Sequence, residues 1–101
     1  MIYVLTTCTI VLGKRAEFET TFRRLQEVYE KHGAKLVGFW WTIGGENNEV
    51  CWIMSWKDLN SYEKEIDEAM NENDFPIEGL SSTVITQSDR IMKASSFSPL
   101  K

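Results

Sequence analysis

Apolar and β-branched residues dominate from Ile2 to Val11, and Leu12-Gly13 closes the run, so the chain is expected to open with a strand. From Lys14 the period changes. Phe18, Phe22, Leu25 and Tyr29 recur at helical steps, and Glu17, Glu19, Arg23, Arg24, Glu27 and Glu30 fill the positions between them. That stripe predicts an amphipathic helix whose apolar face must be covered. His32-Gly33 ends it, because glycine readily takes the left-handed conformation that terminates many helices. Strands are expected over 35–43 and 49–56. The stretch Gly44-Gly45-Glu46-Asn47-Asn48 between them is a hairpin signal, which makes the two strands antiparallel neighbours.

Asp58 or Ser61 can accept bonds from the free amides of a new first turn, and Leu59, Tyr62, Ile66 and Met70 then repeat at helical spacing. Residues 71–74 lead into a loop containing Pro76 and Gly79. The last strand is expected over 82–94, apolar at Val84, Ile85, Ile91 and Met92. Residues 1–94 then form one domain and 95–101 an irregular tail. The order β-α-β-β-α-β with right-handed crossovers is that of a ferredoxin-like α+β fold, a four-stranded antiparallel sheet with two helices on one face.

Alternation along the third strand sets Trp52, Met54 and Trp56 against Cys51, Ile53 and Ser55. The second strand divides into Val37, Phe39, Trp41 and Ile43 against Leu36, Gly38 and Trp40. Both sides are apolar, so Trp52, Met54 and Trp56 are expected on the face away from the helices, where a second sheet would cover them. The expected assembly is a homodimer through the sheet face, a dimeric α+β barrel whose interior can hold a small apolar or aromatic ligand.

Composition narrows the function classes. A net charge of −4 and a pI of about 5.0 leave no electrostatic footprint for nucleic acid, and the basic residues of 14–31 are interleaved with acids, which argues against a membrane surface. Met1 runs straight into the first strand without a leader pattern, so a cytoplasmic location is expected. Cys8 and Cys51 form no CxxC, and the strand parities put them on opposite faces, so reduced thiols are expected. Spacing shows no metal-ligand set, no phosphate-binding glycine loop and no nucleophile-base pair, so neither metal nor cofactor is expected.

His32, the single histidine, is the default acid or base, although a helix end more often uses it on carbonyls and the helix dipole. Tyr3, Thr6, Asp89 and Arg90 are polar groups in or near strands expected to be central in the sheet; Arg90 could meet an anionic group, and it cannot share a strand face with Asp89. Tyr3, Thr6, Trp40, Trp52, Met54 and Trp56 are the candidate ligand contacts, with Trp41 a further indole that could extend an aromatic wall.

Ile2-Tyr3, the Gly13-Lys14 turn, the run His32-Gly33-Ala34-Lys35-Leu36-Val37-Gly38-Phe39-Trp40 and the closing Phe97-Ser98-Pro99-Leu100 together resemble the NIPSNAP family. The resemblance implies a dimeric α+β barrel. Small relatives with that fold include cofactor-independent monooxygenases, haem-degrading oxygenases, lactone isomerases and polyketide cyclases, whereas NIPSNAP proteins have no generally agreed chemistry. Members often carry Glu, Arg and Tyr where this chain has Val4, Thr6 and Cys8, and His and Trp where it has Trp52 and Met54. No catalytic role is carried across. The leading expectation is binding of a small apolar or aromatic molecule; the alternatives are a cofactor-independent monooxygenase or isomerase/cyclase, and a structural protein-interaction module.

Overall fold

Ile2, Val4, Thr6, Cys8 and Ile10 share one side of β1 (Ile2–Ile10), and all are buried, so the first strand turns a continuous face toward the core. The computed structural model describes residues 1–45 and 48–101; Glu46 and Asn47, in the expected hairpin turn, lie outside the described residues. After β1 come α1 (Arg15–Lys31), β2 (Lys35–Trp41), β3 (Glu49–Trp56), α2 (Leu59–Met70), α3 (Ile77–Thr83) and β4 (Val84–Met92). The strands lie in the order β2-β3-β1-β4, every pair antiparallel. This is the ferredoxin-like arrangement that the element order predicts. Residues 93–101 form no helix or strand.

The helix ends follow local chemistry. At the end of α1 the amides of His32 and Ala34 both reach the Tyr29 carbonyl, and Gly33 supplies the left-handed step at φ +97°. At the start of α2 the Asp58 carboxylate accepts the Ser61 amide at 2.7 Å. A third helix, α3, occupies the stretch expected to be loop. Pro76 precedes it, where its fixed φ and missing amide cost nothing. Gly79 lets it approach α1 so closely that a Cβ there would meet the Thr21 side chain.

Three further expectations are corrected. Trp52, Met54 and Trp56 do share a face, but it is the one under the helices. Phe18 and Phe22 of α1 pack on Trp52 at ring-centroid distances of 5.9 and 4.9 Å, and Tyr29 and Tyr62 meet Trp56 edge-on at 5.9 and 5.4 Å. Alternation fixes which residues share a face, and only the helix side chains decide which face is covered. In β2 the pairing with β3 shifts between Leu36 and Gly38, a bulge at Val37. It puts Leu36, Phe39 and Trp41 with the core, while Trp40 lies opposite Cys51 on the outer face, its ring over Gly38. Finally, β4 is an edge strand, so of the polar residues taken to be central, Tyr3 and Thr6 are central but Asp89 and Arg90 are not.

The helix-covered face has two halves. Toward β2, the rings of Phe18, Phe22, Phe39, Trp41 and Trp52 pack solidly at 4.6–6.4 Å. Trp41 closes this half, donating its indole N–H to Glu19 at 2.6 Å beneath the Arg15 guanidinium, 4.1 Å from the ring centroid. Toward β4 the packing opens into a cavity.

Candidate functional site

The cavity, about 390 Å³, lies between the β1–β4 side of the sheet and the three helices. Its floor is dry: Val4, Thr6, Leu25, Trp52, Met54 and Trp56 are all buried. Tyr29 and Tyr62 add aromatic walls. Met70, Ile77, Gln87 and Asp89 are exposed members of the lining and mark the rim. The volume and the mostly apolar lining fall within the range of pockets that take small molecules. A hollow of about 720 Å³ on the outer side of α1, bounded by Arg24, Glu27, Val28, Glu30, Lys31 and Asp74, is larger but is a surface groove walled mostly by solvated charges of both signs.

The polar chemistry of the cavity comes from a cross-strand pair. Thr6 and Asp89 lie opposite each other on β1 and β4, and the Thr6 hydroxyl donates to Asp89 Oδ1 at 2.6 Å. The bond satisfies a buried hydroxyl and fixes one carboxylate oxygen. Burial, with the Asp89 charge second, holds the Tyr29 and Tyr62 phenols above their ordinary range, so both stay protonated at neutral pH. The same two causes push the Cys8 thiol, buried on this face, up to about 12. Cys51 stands opposite Thr7 on the other face, and both cysteines are free.

The cavity therefore gathers Thr6, Trp52, Met54 and Trp56 of the expected ligand contacts and leaves out two. Tyr3 pairs with Ser55 and Met92 on the sheet's outer face, where Trp40 also lies. The chamber is on the helix side of the sheet, within one chain, a different place from the interior between two sheets in which a ligand is expected. Arg90, opposite Leu5, is on the outer face as well. Asp89, the alternative of that pair, is the one that reaches the cavity.

His32 is outside the cavity too. Its Nδ1 lies 2.7 Å from Glu65 Oε2, and its Nε2 is 3.3 Å from Glu72 Oε1, an ionic approach without hydrogen-bond geometry. Glu72 also pairs with Lys31 at 3.2 Å. The Glu65 bond first, and Glu72 after it, raises the His32 pKa against the opposing effect of burial. Ligand atoms of His32, Glu65 and Glu68 fall within 4.8 Å of one another, a grouping that spacing could not reveal because His32 and Glu65 are 33 positions apart. The imidazole is already engaged by carboxylates, and the cluster acts as a clasp joining the end of α1 to α2 and the segment after it.

Among the described residues no helix is long and apolar enough to cross a membrane. No curated protein matches the sequence. Solved structures match over nearly the whole chain. A NIPSNAP family protein of unknown function from Agrobacterium tumefaciens is 21% identical, with a TM-score of 0.88 over 100% of this chain and 94% of that one. An uncharacterized NIPSNAP domain protein from Burkholderia xenovorans is 18% identical, with a TM-score of 0.85 over 98% and 99% of the two chains. SnoaB, a cofactor-independent oxygenase from Streptomyces nogalater, is 19% identical, with a TM-score of 0.71 over 97% and 96%. The NIPSNAP family model matches residues 3–99, and with that extent the chain belongs to the NIPSNAP family.

Proposed function

We propose that the protein binds a small apolar or aromatic molecule in the cavity under its helices, and that two copies pair through the bare face of the sheet. One observation carries the binding reading: a chamber of about 390 Å³ with a dry aromatic floor and a carboxylate-hydroxyl pair at its rim. The pairing is supported by Leu5, Cys51 and Ile53, left partly open on the outer face, and by Trp40, which is 50% exposed there. Two free thiols suit the reducing cytoplasm in which we place it.

Titration with the neutral dye N-phenyl-1-naphthylamine tests the binding reading. Saturable binding of one dye per chain is expected, lost when Leu80→Trp fills the chamber. Dye binding that does not saturate, or that Leu80→Trp leaves intact, sinks it.

A second reading, cofactor-independent oxygenation or isomerisation, is favoured by Asp89 beside two protonated phenols. Asp89 would take the proton of an activated phenol or enol while Tyr29 and Tyr62 hold its oxygen. The fold likeness to a cofactor-independent oxygenase supports looking for it. Oxygen uptake with a hydroquinone substrate, abolished by Asp89→Asn, is the outcome this reading requires; uptake indifferent to Asp89→Asn rules out the role.

A further inference from the structure

The cavity lining carries one formal charge, Asp89, and among the described residues no lysine, arginine or histidine lines it. Around it stand electron-rich rings: Trp56 meets Tyr29 and Tyr62 edge-on, with interplanar angles of 62° and 74°. Rings set at such angles line a corner and do not form a slot for a flat stacked plate. An aromatic corner that shares its chamber with a carboxylate attracts cations twice, through the ring quadrupoles and through the charge. We infer that the ligand is an organic amine, an apolar body seated against Trp56, Tyr29 and Tyr62 with its ammonium against Asp89. This inference rests on the cavity being a ligand site.

The empty and filled states explain why a cation suits the site better than a neutral molecule. Asp89 is exposed at the rim, where water satisfies it, and Thr6 occupies only Oδ1. A ligand that fills the chamber displaces water from the side of Asp89 that faces it. A purely apolar ligand would leave Oδ2 without a donor, at a cost that offsets much of the gain from burying the ligand. An ammonium brings three donors and an opposite charge to the same place. A carboxylate-bearing ligand meets like charge with no basic group to relieve it. The overall charge of −4 favours encounter with cations in the same sense.

The test uses three probes of one length and one ring: 3-phenylpropylamine, 3-phenylpropan-1-ol and 3-phenylpropanoic acid. Binding is followed by NMR on the indole N–H signals of Trp52 and Trp56, which lie in the cavity floor. The amine is expected to bind about tenfold tighter than the alcohol, and the acid weakest. Asp89→Asn keeps an oxygen for Thr6 and should bring amine and alcohol to near equality, whereas Ser88→Ala, next to it on β4 but opposite Thr7 on the outer face, should preserve the preference. If the alcohol matches the amine in the unmodified protein, or the acid is preferred, the amine inference fails and the ligand-site reading stands. If none of the three moves the indole signals and the neutral dye does not bind either, both fail together.

Discussion

On β3, Trp52 and Met54 are 3% and 2% exposed beneath the helices, while Ile53 between them is half-buried on the opposite face and Trp40, on the neighbouring strand β2 with its ring over the Gly38 that pairs with Ile53, is 50% exposed. Both faces are apolar, yet their apolar groups serve different ends. Under the helices they interlock with rings from α1 and α2, leaving open only the half that borders β4. On the other face Tyr3 and Ser55 are buried, but Trp40 and Ile53 are left partly open to solvent. Apolar alternation on both sides of a strand therefore signals two burial events, one completed on folding and one available for association.

The sharpest way to break that contrast is substitution on the dry face. Trp52→Ala is expected to cost about 3–5 kcal/mol in urea denaturation, since it removes the ring on which Phe18 and Phe22 pack. A loss under 1 kcal/mol would mean that the indole is not under the helices. Next comes the closeness of the cover: Gly79→Ala drives a Cβ into Thr21 and should cost about 1–3 kcal/mol, with Thr21→Ala restoring part of the loss in a double mutant. Thr6→Val removes the donor to Asp89 while keeping the shape, and a loss of about 1 kcal/mol is expected.

On the other face Ile53→Glu should change the stability of the fold itself by about 0.5 kcal/mol or less. It should nevertheless convert a dimer to a monomer in sedimentation. A dimer that survives Ile53→Glu places the interface elsewhere. The smallest effect belongs to the clasp. His32 has a raised folded pKa, so protonation favours the folded state; this contribution is full below the ordinary value of 6.5 and is lost as pH climbs through the raised value. The melting temperature should therefore fall slightly as pH rises from 6.5, and Glu65→Gln should flatten that slope. A slope that is unchanged in Glu65→Gln would remove the clasp from the account.

Much of this was readable from residue order. The stripe of Phe18, Phe22, Leu25 and Tyr29 gave α1, the Gly/Asn-rich stretch divided β2 from β3, and the quoted run around His32 to Trp40 pointed to the right family. Helix α3 is not legible in the sequence because seven residues are too few to show a period, and Pro76 and Gly79 read as loop when they are in fact a start signal and a close-packing point. Of the cavity lining, Thr6, Trp52, Met54 and Trp56 are among the expected ligand contacts, but of an interior between two sheets and not of this chamber; Tyr29 and Tyr62 read in the sequence as helix-stripe residues, and nothing local distinguishes Asp89 from its neighbour Arg90. The choice between Asp89 and Arg90 depends on the pairing of β4 with β1, a contact across 83 positions that no local pattern encodes.

The bulge at Val37 has a consequence for chain length. With that residue set aside, Lys35, Leu36, Gly38, Phe39, Trp40 and Trp41 alternate without interruption between the outer face and the core. Losing one residue from a strand ordinarily inverts everything beyond it. Here the loss of Val37, itself 39% exposed, would leave each remaining side chain of β2 on the side it now occupies. The strand is one residue longer than its ladder requires, and a deletion at this position restores the regular ladder instead of inverting it.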